Sequence, residues 1–287
     1  MITCHQAFYQ LQNALVPLYS QGEAAAIAHE VLHHITGLDK LQRLVKKDTP
    51  FTKQQVEEFE QYSPELQRGR PMQYVLGHAW FRGRRFRVDE RVLIPRPETE
   101  ELVQWIVDDY SDNAEAQRIL DIGTGSGCIP VSLKLALPHA VVEACDVSQE
   151  ALQLAAENAA DLNAGVHFYL CDVLDPEGRD ALPVYNVLVS NPPYIPVTES
   201  DTLHVNVKDF EPSLALFTPG DDPLIFYRAI AELGLHHLAP GGRIYCELHR
   251  DYATETAALF ASFGYNTTLH RDMHGNPRML RGTMKEL

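Results

Sequence analysis

The sequence predicts an α/β fold: a mostly parallel, doubly wound sheet with an antiparallel last strand, behind a small all-α module and a linking β-hairpin. Three observations carry this. Between residues 118 and 248, apolar β-branched runs alternate with amphipathic stretches, the pattern of strands joined by crossover helices. Before residue 70 the apolar residues recur at helical spacing instead. The predicted strands of the first region also end on polar residues in series, Asp121, Asp146, Asp172 and Asn191. Strand ends of such a sheet gather at one edge, where ligands bind.

In chain order, Phe8, Leu11, Leu15 and Leu18 mark a first helix, with Gly22 as a break. Ala25, Ile27, Ala28, Val31, Leu32 and Ile35 mark a second, closed by Gly37. Thr52 is an N-cap for a third with Val56 and Phe59 inward, and a short fourth helix is expected after Ser63-Pro64-Glu65, ending at Gly69. From Gln73 to Arg96 the period changes: Trp80, Phe81, Phe86, Val88 and Val92 to Ile94 interleave with Arg82, Arg84, Arg85, Arg87 and Arg91 around a turn at Gly83. Helix 98–110 follows, with Leu102, Val103 and Ile106 inward, then a loop at Asp112-Asn113-Ala114. The alternating region places strands at 118–123, 141–146, 166–172, 184–190 and 243–248, and helices at 127–137, 148–162, 222–238 and 251–263. Segments 265–270 and 278–284 are expected to pair as antiparallel strands. The domain boundaries are 1–76 for the helical module, 77–97 for the hairpin and 98–287 for the α/β domain.

Charge is unevenly placed. The chain carries −15 overall, but residues 1–95 hold 12 Lys and Arg against 10 acids, while residues 96–287 hold 12 against 29. An acidic α/β half repels a phosphate backbone, which argues against a duplex nucleic acid lying across it. The basic strip from Arg82 to Arg91 is either a hairpin edge guarded by charge or a grip for an acidic partner. No apolar run is long enough to span a membrane. The first residues, Met1-Ile-Thr-Cys-His-Gln, have neither a charged nor an apolar leader region. Cys4, Cys128, Cys145, Cys171 and Cys246 are odd in number and without CxxC spacing, which fits a reducing cytoplasm. His29-Glu30-Val31-Leu32-His33 has the literal HExxH pattern, but no third ligand follows at a justified spacing, so no metal is expected.

Asp121-Ile-Gly123-Thr124-Gly125-Ser126-Gly127 closes the first strand of the alternating region and opens its helix. A dinucleotide fingerprint requires glycine or alanine at position 128, where Cys128 stands. A compact GxGxG preceded by an acid suits the methionyl end of S-adenosylmethionine. Asp146, about 20 residues on, can accept from ribose hydroxyls, Asp172 can meet an adenine amino group, and Val173 offers an apolar adenine contact. Val187-Leu-Val-Ser-Asn191-Pro192-Pro193-Tyr194 then ends a buried strand in a stiff turn, since proline cannot continue the ladder. A carboxamide held there can accept from a planar NH2 group, and a ring can lie on that group's face. Each of these stretches also has a bland reading, as a glycine turn, a helix cap or a proline turn.

Together these residues resemble the class I S-adenosylmethionine-dependent methyltransferases, with a Rossmann-like sheet. Within them the chain resembles the release-factor glutamine methyltransferases over nearly its whole length. The likeness covers the helical N-terminal module, Leu93-Ile-Pro-Arg-Pro-Glu-Thr-Glu100, the Asp121–Gly127 loop, Asn191–Tyr194 and Phe210-Glu211-Pro212. The resemblance implies methyl transfer to the side-chain nitrogen of the glutamine in the Gly-Gly-Gln motif of peptide-chain release factors, with S-adenosylhomocysteine as product. It implies that residues 1–76 recognise that protein substrate, with no membrane and no direct nucleic-acid substrate. It assigns the cofactor to Gly123, Thr124, Gly125, Ser126, Gly127 and Asp146, with Asp172, Val173 and Asn191 beside it. Asn191, Pro192, Pro193 and Tyr194 would hold the glutamine, and Asn191, Pro192 and Tyr194 would serve catalysis. Some relatives carry Trp where this chain has Val173, which loosens adenine packing. The alternatives are an adenine amino-group methyltransferase, glutamine methylation of a ribosomal protein, and an NAD-dependent oxidoreductase. The first is opposed by the acidic α/β half, and the last by Cys128 and by the lack of a hydride-transfer dyad.

Overall fold

The structure is a computed structural model, and it describes residues 2–111, 113 and 115–284. Asp112 and Ala114 of the expected loop, and Met1 of the expected leaderless start, lie outside the described residues. The chain divides into two compact units, residues 1–78 with 204–210, and residues 79–203 with 211–287.

The first unit contains α1 (Cys4–Leu15), α2 (Gln21–Thr36), α3 (Lys40–Val45), α4 (Lys53–Gln67) and α5 (Met72–Leu76). Its core is Ala7, Leu11 and Leu15 from α1, Ala28, Val31, Leu32 and Ile35 from α2, and Phe59 and Leu66 from α4. Gly22 does not break a helix. The break is residues 16–20, and Ser20 caps α2 by accepting from the Glu23 N–H, with Gly22 in the first turn. Gly37 ends α2 at φ +67°, a left-handed cap that favours glycine. The helix expected after Ser63 is instead the last turn of α4, which runs through Pro64. Proline there removes one N–H, and the turn is held by Gln67 Nε2 donating to the Ser63 carbonyl and hydroxyl at 3.1 and 3.0 Å. Helix α3 was not anticipated, although Asp39 and Gln42 form a capping box at its start.

The second unit opens with the hairpin β1 (His78–Phe81) and β2 (Arg84–Arg87), of which His78 belongs to the first unit. Then follow α6 (Pro97–Tyr110), β3 (Arg118–Ile122), α7 (Cys128–Ala136), β4 (Val141–Asp146), α8 (Gln149–Asp161), β5 (Val166–Leu170), α9 (Pro176–Arg179) and β6 (Tyr185–Ser190). Helix α10 (Val205–Phe210) belongs to the first unit, where the Asn206 amide donates to the Tyr19 hydroxyl. The chain continues with α11 (Ser213–Leu216), α12 (Ile225–His237), β7 (Leu238–Glu247), α13 (Ala253–Ser262), β8 (Tyr265–Arg271) and β9 (Pro277–Met284).

The sheet order is β5-β4-β3-β6-β7-β9-β8. Strands β3 to β7 pair in parallel, and β9 runs antiparallel between β7 and β8. The order reverses between β3 and β6, so their C-terminal ends diverge into loops and leave a crevice. Ile122 stands opposite Ser190 at that point, and the Ser190 hydroxyl donates to the Ile122 carbonyl at 2.7 Å. Both faces of the sheet are covered. Leu102, Val103, Ile106, Val131 and Leu133 cover one, and Tyr227, Ile230, Leu233 and Phe260 the other. This double burial explains why β3 and β6 read as continuous apolar runs.

Candidate active site

A cavity of about 730 Å³ lies at the C-terminal ends of β3, β4, β5 and β6, wholly within the second unit. Gly123, Thr124, Gly125, Ser126, Asp146, Asp172, Val173, Asn191, Pro192 and Pro193 line it. Gly127 and Tyr194 do not.

The glycine loop is fixed by its backbone. The N–H groups of Gly123 and Thr124 both donate to the Cys145 carbonyl, at 2.9 and 3.0 Å. Gly123 and Gly125 have φ of +73° and +52°, and a Cβ on either would meet nothing within 4 Å. The space a side chain would fill is therefore open to a ligand. Gly127 has a different reason to be glycine. At φ +77° its Cβ would stand 3.0 Å from the Ala155 Cβ, so its absence lets the loop lie against α8.

Asp146 Oδ2 accepts from the Gly125 N–H and Oδ1 from the Ser148 N–H, both at 2.9 Å. Burial nonetheless lifts its carboxyl above the usual range. Each oxygen keeps a lone pair for a ligand hydroxyl. Asp172 is exposed and accepts from the Leu174 N–H at 2.8 Å. Below the glycine loop, Asp121 is fully buried, and neither of its oxygens nor the Thr124 hydroxyl has a hydrogen-bond partner among the described residues. Burial pushes the Asp121 carboxyl up to about 7. A loop with open glycine faces and two cavity-lining acids, Asp146 and Asp172, fits a cationic nucleoside better than a pyrophosphate, which would meet both carboxyl groups.

At the other end, the Asn191 amide nitrogen donates to Thr99 Oγ1 at 3.2 Å, and the Thr99 hydroxyl donates to Glu247 Oε2 at 2.6 Å. The Tyr194 hydroxyl lies 3.3 Å from Glu247 Oε1, its ring is edge-on to His249, and its body packs on the apolar cluster around Tyr227. Burial pushes the Glu247 carboxyl up to about 7.

The residues that sequence reasoning missed are supports. Thr99 lies within Leu93–Glu100, where nothing in the local sequence signals its role. Glu247 was an acid at the end of an apolar strand, the same signal that marked Asp146. Glu211, almost fully buried, accepts from Arg96 Nη2 at 2.5 Å and from the Ile94 N–H at 3.3 Å, fastening the segment before α6. Asn158, also buried, accepts from the Arg87 N–H at 2.7 Å and donates to the Arg87 and Ser126 carbonyls at 3.0 and 2.9 Å. It ties the hairpin to the glycine loop.

The basic strip is largely answered within its own unit. Arg87 pairs with Asp161 at 2.6 Å, Arg91 with Asp89 at 2.6 Å, and Arg82 donates to the Glu100 carbonyl and to Gln104. In the first unit, His29 stacks on Phe8 and faces the Arg43 guanidinium, while His33 Nδ1 pairs with the Leu38 carbonyl. Among the described residues no group of three or more His, Cys, Asp or Glu stands where it could hold a metal ion. No helix among them is long and apolar enough to cross a membrane.

This sheet order, with a glycine loop after β3 and an Asn-Pro-Pro-Tyr turn after β6, defines a class I methyltransferase. The family model described as Methyltransferase small domain matches residues 99–208, and that described as PrmC N-terminal domain matches residues 6–77. A release factor glutamine methyltransferase of Bacteroides thetaiotaomicron is 42% identical over 94% of this chain and 96% of its own. One of Flavobacterium psychrophilum is 38% identical over 95% and 96%. The T. thermophilus 16S rRNA N2 G1207 methyltransferase, solved with AdoMet and guanosine, shares the fold at a TM-score of 0.51 and 13% identity, over 72% of this chain and 50% of that one. The chain belongs to the release factor glutamine methyltransferase family.

Proposed function

We propose that this enzyme methylates the side-chain amide nitrogen of the glutamine in the Gly-Gly-Gln motif of peptide-chain release factors. The observation that carries the reading is the Asn191 carboxamide. It lines the cavity with its nitrogen engaged by Thr99, while its Oδ1 has no partner among the described residues. Family membership supplies the substrate class.

S-adenosylmethionine, when bound, supplies a sulfonium-activated methyl group and becomes S-adenosylhomocysteine. Gly123, Thr124, Gly125 and Ser126 would hold its methionyl end, with Gly127 keeping the loop against α8. Asp146 would accept from its ribose, and Asp172 and Val173 would meet its adenine. The Asp146 and Asp172 carboxyls on the cavity wall support a cationic occupant.

The protein's own part is to prepare the amide. An amide nitrogen is a weak nucleophile because its lone pair is delocalised into the carbonyl. The Asn191 Oδ1 and the Pro192 carbonyl would accept its two hydrogens and favour pyramidalisation. Pro193 stiffens the turn, and Tyr194 would lie beside the amide plane. No strong base is needed before attack, because the alkylated amide loses its proton readily. The contribution is positioning, with hydrogen bonds that strengthen in the transition state. Residues 1–76 would recognise the release factor. Five free cysteines support a reducing, cytoplasmic setting.

The test is incubation with methyl-labelled S-adenosylmethionine and either a release factor, its Gln→Ala variant, or nucleic acid. Label on the intact factor alone supports the reading. Label on nucleic acid, or on the Gln→Ala factor, overturns it.

A further inference from the structure

We infer that Thr99 and Glu247 are positioning residues that dictate which end of the Asn191 carboxamide faces the cavity. The inference rests on the reading of Asn191 as the acceptor of the substrate amide.

A chain of hydrogen bonds with only one consistent direction carries it. Glu247 ends β7 and is 2% exposed. A carboxylate only accepts, so the single Thr99 hydroxyl proton is committed to Glu247 Oε2, 2.6 Å away. The Thr99 oxygen then has only lone pairs to offer, and the Asn191 group 3.2 Å from it must be the donating NH2. Oδ1 is thereby turned to the cavity as an acceptor. With the Thr99 proton reversed, the carboxamide would present NH2 to the substrate NH2, and donor would meet donor. The Tyr194 hydroxyl, 3.3 Å from Glu247 Oε1, braces the carboxyl from its other side, and the Tyr227 hydroxyl donates to the Glu247 main-chain carbonyl at 2.9 Å, fixing the end of β7. Thr99 is itself 2% exposed, so no competing solvent contact resets its proton.

The relay also has a protonation state. Facing Glu247 are Thr99 and Glu98 from α6, Tyr194 from the turn after β6, Tyr227 from α12 and Arg278 from β9. Burial raises the acid most, Glu98 adds to this, and Thr99, Arg278 and Tyr194 oppose it, leaving it at about 7. Once protonated, Glu247 can donate to Thr99, and the amide is released to turn over. Turnover is therefore expected to fall as pH drops through about 7.

The test uses the full chain and two readouts. The first needs no substrate: the side-chain amide resonances of Asn191, assigned by their loss in N191D. They are expected to move in T99V, to return in T99S, and to titrate near pH 7 in the wild type but not in E247Q. Identical resonances in T99V and wild type would overturn the relay. The second is methyl transfer to a release factor, where T99V should lose roughly tenfold or more in kcat with KM held within about twofold, and T99S should recover it. A T99V kcat within about twofold of wild type would likewise overturn it. If T99V does not fold, E247Q decides by the same readouts. If the wild type transfers no methyl to a release factor, the substrate reading fails, and the resonances still decide the relay.

Discussion

At one end of the cavity a loop is fixed through its backbone; at the other a carboxamide on the wall is held from behind. The glycine end is set by N–H groups of Gly123 and Thr124 on the Cys145 carbonyl and by two positive-φ glycines with open faces. The asparagine end is set by Thr99 and Glu247, which come from α6 and β7, 148 residues apart. The difference shows how one sheet edge separates two tasks. On the proposed reading, the cofactor would be gripped by shape, which local backbone conformation supplies, and the acceptor amide would be met by one atom in one orientation, which a directed network of hydrogen bonds supplies.

The variant that should separate the two ends most strongly is Asn191→Ala. It removes the acceptor atom and touches nothing at the glycine end. Turnover should fall by roughly a hundredfold, ~3 kcal/mol, the upper range for leaving a buried partner unpaired. Binding of S-adenosylmethionine, followed by calorimetry, should stay within about threefold of wild type. Loss of cofactor binding would show that the two ends are not independent.

The converse is Gly125→Val. A β-branched residue at φ +52° is strained by about 2 kcal/mol, and its side chain would enter space the cavity now holds. Cofactor affinity should drop by roughly tenfold or more, with the KM for the release factor unchanged within about twofold. A variant with weakened release-factor binding and intact cofactor binding would invert the assignment of the two ends.

The two buried acids respond differently to pH. Both are pushed up to about 7 by burial, but Glu247 has hydroxyl donors on each oxygen, whereas Asp121 has only the Thr124 hydroxyl beside it, outside hydrogen-bond geometry. A carboxyl raised in the folded state binds a proton that the unfolded chain has already released. Its stabilising contribution is complete below the ordinary carboxylate range and is lost as pH rises through about 7. Asp121→Asn cannot ionise, so its stability relative to wild type should rise from about pH 4 to about 7 and change no further above that, seen as a flatter dependence of the unfolding midpoint. Glu247 keeps part of the slope. Equal slopes in the two proteins would mean that Asp121 is ionised at neutral pH in the folded chain.

Much of this was legible in the sequence because it is local. Strand–helix alternation, the glycine loop, and the polar residues closing β4 and β6 are each specified within a few residues. What was not legible depends on topology. Thr99 meets Glu247, and Arg96 meets Glu211 across 115 residues, only because α6 covers the sheet beside β7 and the chain returns past α10. Asn158 reads as an ordinary polar position on α8, and it acquires its role only when β2 arrives 71 residues away in sequence. The Ile-Pro-Arg-Pro-Glu-Thr-Glu stretch stood out as a motif, but its work is to supply Arg96 and Thr99 to partners the sequence does not pair. Helix α3 was missed for a simpler reason. Its six residues are too few to show a period, although its capping box was available.

The smallest effect is expected at the hairpin, and it decides between the two readings of the basic strip. The Arg87–Asp161 pair is open to solvent on both sides, with 58% and 48% of each side chain exposed. Such pairs contribute about 0.5 kcal/mol or less. The groups Asn158 uses are the Arg87 backbone N–H and carbonyl, which survive substitution of the side chain. Arg87→Ala should therefore leave the unfolding midpoint and both kinetic constants near wild type. Asn158→Ala should be the more damaging, by about 2 kcal/mol, because it strands buried backbone groups on the hairpin and on the glycine loop together. If Arg87→Ala instead raised the KM for the release factor while leaving stability unchanged, the strip would be a grip on the protein substrate. The acceptor end of the cavity would then extend, by charge, beyond the Asn191 turn.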